Sequence, residues 1–154
     1  MRTEPFGNRH RHKGYLLKSN AEYSFALLLD KLMDAGEITE WLYEPQTFWF
    51  EGIQRGTVSY KPDFKVVWAG DEDKAIIYYE VKRGKIEQKD ITKYKRMAKY
   101  YPDVKLVLVF QGKTAGNGKW AIRTRILLSS AQKYVNHIWY VDEDYKRLGI
   151  KTKF

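Results

Sequence analysis

The sequence predicts an α/β fold, and three observations carry that expectation. A capped apolar helix over 19–36 is followed by two β-rich runs, 58–68 and 75–82, parted by a polar turn. An amphipathic helix over 88–101 then leads into an apolar run at 104–110, so helices alternate with strands.

Each element has a local cause. Ser19 suits a helix N-cap, Phe25, Leu28, Leu29, Leu32 and Met33 recur at helical spacing, and Gly36 stops the helix. Residues 41–50 alternate loosely around Pro45, which predicts an edge strand or an extended crossing. Ala69-Gly70-Asp71-Glu72-Asp73-Lys74 is turn chemistry and closes an antiparallel hairpin between its neighbours. In the second helix Ile91, Tyr94, Met97 and Ala98 form one stripe, with Lys93, Arg96 and Lys99 off it, and Pro102 ends it. The run at 104–110 lacks alternation, as expected of a strand covered on both faces. Beyond it the sequence predicts a mobile glycine-rich loop at 112–118, a strand at 120–126, a short helix at 129–134 and a short strand at 137–141.

With 154 residues and 44% hydrophobic content, the chain predicts one domain over 19–154, preceded by a flexible basic arm over 1–18. There is no cysteine, which removes disulfides and thiolate zinc sites and points to a reducing compartment. No stretch approaches the ~20 apolar residues of a membrane span, and residues 1–18 contain no signal-peptide core, so a cytoplasmic protein without membrane attachment is expected. A net charge of +9 predicts a polyanionic partner, with nucleic acid the natural one. Arg2, Arg9, Arg11, Lys13 and Lys18 crowd the arm beside His10 and His12, as in a segment that orders on a phosphate backbone. The three histidines are too dispersed for zinc, and most of the five Trp and twelve Tyr belong to the core.

The hairpin sets up a site. With its turn centred near Asp71 and Glu72, Asp63 of Pro62-Asp63 lies across from Glu80 or Val81, and opposed residues have Cβ atoms about 4.5–5.5 Å apart. Alternation along the second strand places Glu80 and Lys82 on one face. Two carboxylates so close repel unless a cation or a shared proton relieves them. A hard divalent cation suits such an all-oxygen set completed by a backbone carbonyl, and magnesium is the expected ion, with manganese as substitute. Lys82 then orients water or neutralises developing charge. Arg83 and Lys85 follow the strand directly and are expected phosphate contacts; Lys93 and Arg96, near Tyr94, Tyr100 and Tyr101, extend the basic surface.

Taken singly, these motifs have ordinary readings. Pro-Asp recurs at Pro102-Asp103 as a helix stop, and Glu-x-Lys is common on solvated strands. Ser19-x-x-Glu22 is a capping-box pattern in which the glutamate returns to the Ser19 amide. Glu22 also shares a helical face with Phe25, Ala26 and Leu29, which makes it a candidate third acid for a first or second metal.

Ser-x-x-Glu at 19–22, Ala35-Gly36-Glu37-Ile38, Tyr60-Lys61-Pro62-Asp63-Phe64 and Glu80-Val81-Lys82 followed by Arg83 and Gly84 together resemble the PD-(D/E)XK nuclease superfamily. Within it, the order and spacing are most similar to the phage T7 endonuclease I type of Holliday junction resolvase, over residues 19–110. The resemblance implies a mixed central β-sheet flanked by helices, magnesium dependence, and hydrolysis leaving a 5′-phosphate. It marks Glu22, Asp63, Glu80 and Lys82 as the active site, with the Val81 carbonyl among the metal ligands. Branched DNA as substrate, a role in DNA recombination, a homodimer, and a host-cell cytoplasmic setting for a phage protein follow from the same likeness. The gap between Asp63 and Glu80 is longer than in the compact phage enzyme, and the region after Gly112 has no counterpart in it. Transposon-end, host-DNA-degrading and RNA-directed nucleases share the core and stay open as alternatives. So does a non-catalytic DNA-binding module on the same scaffold.

Overall fold

The computed structural model describes residues 10–70 and 75–152, so Arg2 and Arg9 of the basic arm and the tip of the hairpin turn lie outside the described residues. A five-stranded sheet runs in the order β3 (Ile38–Tyr43), β6 (Phe64–Trp68), β7 (Ala75–Val81), β8 (Lys105–Phe110), β9 (His137–Tyr140). The first three strands are antiparallel; β7, β8 and β9 are parallel, so the sheet is mixed. Parallel neighbours need crossovers, here α2 (Gln88–Tyr100) and α3 (Lys119–Ala131). This is the expected α/β class, with helices on both faces.

Each face of the sheet has its own apolar core. On one side α1 (Asn20–Asp34) places Phe25, Leu28 and Leu29 on Phe64, Val66, Tyr79, Val107 and Val109, closed by Val141, Tyr145 and Ile150 around α4 (Asp142–Leu148). The Phe25 ring packs 5.2 Å from Phe64, 5.5 Å from Tyr79 and 5.8 Å from Trp139. On the other side α2 and α3 bring Ile91, Tyr94, Met97, Leu127 and Leu128 onto Tyr78, Leu106, Leu108 and Phe110. The short pair β4 (Phe48–Trp49) and β5 (Ser59–Tyr60) extends this second core. Burial on both faces is why 104–110 reads as an unbroken apolar run.

The structure corrects three expectations. Residues 10–18 are not a loose arm: β1 (His10–His12) and β2 (Tyr15–Leu17) form a hairpin, turned by Lys13 at φ 48° and Gly14 at φ 85°. It is clasped to α1 by His10 stacked on Tyr23 at 4.5 Å, by fully buried Leu17, and by Asp30, which binds His12, Lys13 and Trp41. The strand expected at 120–126 and the short helix at 129–134 are instead one helix, α3. Its buried side is Ala121, Thr124, Leu127, Leu128 and Ala131 at helical spacing, whereas Trp120, Ile122 and Ile126, which imitate strand alternation, face outward. Finally, α4 was not expected, because a seven-residue helix is too short to show periodicity. The loop at 112–118 also carries two hydrogen bonds, from Arg125 to the carbonyls of Thr114 at 3.2 Å and Gly116 at 2.8 Å.

Candidate active site

Two of the expected acids, Asp63 and Glu80, lie where β6 begins and β7 ends. Register pairs Phe64 with Tyr79, so Asp63, one step outside that pair, lies level with Glu80. One Asp63 carboxylate oxygen accepts the Val81 amide at 2.8 Å, and the Asp63 carbonyl accepts the Glu44 amide at 2.7 Å, fixing the residue at both ends. Glu80 accepts the Tyr60 hydroxyl at 2.6 Å on the α2 face. Asp63 therefore stands between the two cores.

Glu22 reaches it from the opposite face. Ser19 caps α1 by accepting the Glu22 amide at 3.1 Å, but the Glu22 carboxylate does not return to the Ser19 amide. It accepts the Lys18 amide at 2.8 Å and the Tyr43 hydroxyl at 2.9 Å, and it is 7% exposed. The capping-box reading is thus half right: the serine caps, and the glutamate is aimed at the sheet end.

Burial pushes the Asp63 carboxyl well above its ordinary range, and the negative charges of Glu80 and Glu22 push it further, against the opposing pull of the Val81 amide. Burial likewise pushes Glu80 up to about 7, although the Tyr60 hydroxyl, Lys82 and Lys93 favour its ionised form. Tyr43 and Tyr60 are raised as well, burial first and then the neighbouring carboxylates, so both are held as hydrogen-bond donors.

Lys82 follows β7, and its ammonium pairs with Asp90 at 3.1 Å. Asp90 is 5% exposed in the first turn of α2, where the same oxygen accepts the Glu87 amide at 2.9 Å in a capping box. A charge at the tip of one strand is thereby positioned by the start of the next helix. A second acid, Glu44, sits at the rim at φ 46° and holds Lys18 at 2.6 Å and Lys61 at 3.3 Å. Burial would raise its carboxyl, but the two lysines carry it below its usual value.

Sequence reading groups Glu22, Asp63, Glu80, Val81 and Lys82 as one site; it does not single out Tyr43, Glu44 or Asp90, and it places Tyr60 in the Pro-Asp motif without a role in the site. For Asp90 a signal existed, since Glu87-x-x-Asp90 heads an amphipathic run; Tyr60 heads the Pro-Asp motif, and Tyr43 carries no signal. The basic residues divide. Arg11 and Arg83 are exposed, Lys18 lies beside Glu44 at the rim, and Lys93 lies 5.8 Å over the Tyr60 ring. Lys13 is engaged by Asp30, Lys85 pairs with Glu87 at 3.3 Å, and the Arg96 guanidinium donates to the Thr57 carbonyl. Lys13 and Arg96 thus stabilise the fold.

Whether these residues suit a divalent cation is a matter of donor chemistry. Asp63 and Glu80, whose carboxyls are raised first of all by burial, are oxygens that a dication would ionise, and the Tyr94 hydroxyl near them is buried without a hydrogen-bond partner. Among the described residues no three such side chains already meet at ligand distance. The donor set fits a hard ion of which protein groups supply only part of the shell, as magnesium prefers. Comparison of the chain with protein-family models, with curated proteins and with solved structures found no match.

Proposed function

We propose that the chain is a metal-dependent endonuclease that hydrolyses phosphodiester bonds in DNA, with branched DNA of the Holliday-junction type as its substrate. The observation that supports this best is Asp63 lying level with Glu80 at the end of the sheet and feeling the charges of both Glu80 and Glu22, beside a lysine paired with its own buried acid. Hydrolysis adds water across the P–O3′ bond and leaves a 5′-phosphate and a 3′-hydroxyl. Asp63 and Glu80, with the Val81 carbonyl and Glu22, would hold magnesium or manganese, which polarises the phosphate and acidifies a bound water.

The chain's own residues supply the remainder. The Val81 amide and the Tyr60 hydroxyl fix the two carboxylates, so little reorganisation accompanies the reaction. Lys82 presents an ammonium that orients water or neutralises charge on the phosphate, and Asp90 restricts where it points. Arg83, exposed directly after Lys82, would meet a neighbouring phosphate. Cutting two strands of a junction symmetrically calls for two copies, so we propose a homodimer as the active form.

A second reading, a non-catalytic DNA-binding module, has in its favour that no three ligand side chains already converge among the described residues. Against it stand the buried acids at the sheet end, which would weaken the binding of a polyanion there unless a cation intervened. Incubating the protein with a four-way DNA and with the matching linear duplex, in magnesium or manganese, separates the readings. The proposal expects the junction to be cut in preference. Equal cutting of both removes the junction assignment and keeps the nuclease; binding without cutting favours the module.

A further inference from the structure

The charge of this protein is unevenly placed. Residues 104–141 contain Lys105, Lys113, Lys119, Arg123, Arg125 and Lys133 and no acidic residue at all. Three of these cations lie on α3, and Lys113 and Lys133 flank it. The outward side of that helix also exposes Trp120, at 55%, an unusual position for so large an apolar ring.

Trp120 and Arg123, one helical turn apart, form one wall of an open cleft of about 380 Å³. Lys85 and Lys89 form the other, with Glu87 between them at 3.3 and 3.4 Å, so cations outnumber the single acid in the cleft. The Lys85–Lys89 wall lies in the chain between Lys82 and Asp90, which pair at 3.1 Å, so the cleft's wall is tethered at both ends to that ion pair.

We propose that this cleft binds a single-stranded segment of the substrate as it leaves the active site, with Trp120 stacking on an unpaired base and Arg123 contacting the backbone. The inference rests on the nuclease reading and deepens it by naming the form of DNA received. An exposed indole is suited to a base face that duplex stacking does not occupy, while the cations bind phosphate whatever the sequence. A blunt duplex keeps its bases stacked and offers Trp120 nothing.

The test is fluorescence anisotropy with labelled DNA, using the full chain carrying Asp63→Ala so that nothing is cut. A forked duplex with single-stranded arms is compared with a blunt duplex of equal length. Adding Trp120→Ala is expected to weaken binding of the fork about tenfold and to leave the blunt duplex within about twofold. Adding Arg123→Ala is expected to weaken binding of the fork and to lower the slope of log affinity against log salt by about one. Trp120 is exposed, so Trp120→Ala should keep the parent's circular dichroism. Unchanged fork binding by Trp120→Ala, or equal losses on fork and blunt duplex, overturns the cleft proposal. If wild type cuts DNA while Trp120→Ala binds like its parent, the cleft proposal alone fails; if the parent binds neither DNA, the nuclease reading falls with it.

Discussion

Lys82 and Asp90 form an ion pair of 3.1 Å that links the residue following β7 to the first turn of α2. The same Asp90 oxygen accepts the Glu87 amide, so one buried acid both starts a helix and aims a cation. An Asp90→Asn substitution keeps an acceptor for the amide and removes the charge that holds Lys82. It should lower the cleavage rate at least tenfold, about 1.4 kcal/mol of transition-state stabilisation, while the helical circular dichroism is retained. Cleavage at the wild-type rate would release Lys82 from dependence on Asp90.

Glu22 separates a structural from a chemical role. Glutamine retains an oxygen for the Lys18 amide and the Tyr43 hydroxyl, so Glu22→Gln should unfold within about 0.5 kcal/mol of wild type. A metal-binding carboxylate has no such substitute, and cleavage should fall by about two orders of magnitude. Full activity in the glutamine variant would leave Glu22 as a cap accessory.

The amino-terminal hairpin gives a stability prediction with a definite sign. Burial would raise the Asp30 carboxyl, but Lys13, His12 and Trp41 donate to it and carry it below 3.8. A carboxyl depressed in the folded state adds stability above its unfolded pKa and loses that contribution as pH falls through the lower folded value. Asp30→Ala should therefore cost about 2 kcal/mol in urea unfolding at pH 7, with the gap to wild type narrowing below about pH 4. A gap that persists undiminished at low pH would assign the loss to packing.

Phe64 follows Asp63 directly and is fully buried, with Phe25 at 5.2 Å, Tyr43 at 5.3 Å and Trp41 at 5.7 Å from its ring. Phe64→Ala should cost about 3–5 kcal/mol in chemical denaturation, since the aromatic cage around it cannot collapse into the space. A loss under about 1 kcal/mol would mean that this core does not anchor the acidic end of β6.

What the sequence made legible was local. Ser19, Gly36 and Pro102 punctuate helices through their own backbone chemistry, and the polar sequence at 69–74 points to the antiparallel pairing of β6 with β7 whose register sets Asp63 level with Glu80. What it hid depends on partners distant in the chain. His10 and His12 read as part of a basic arm because the residues that hold them, Tyr23 and Asp30, lie on a helix that has to form first. Residues 120–126 read as a strand because the apolar side chains on the exposed side of α3 outweigh the small buried ones, Ala121 and Thr124. Tyr43 and Tyr60 became site residues only through tertiary contacts with Glu22 and Glu80.

The central claim is that Asp63 and its neighbours bind a divalent ion that drives phosphodiester hydrolysis. It is tested most directly by incubating wild type and Asp63→Ala with labelled DNA in magnesium or manganese, with and without a chelator. The account predicts cleavage by wild type that the chelator abolishes, and an Asp63→Ala chain that binds the DNA and leaves it whole. Cleavage by Asp63→Ala at the wild-type rate, or cleavage indifferent to the chelator, would contradict it.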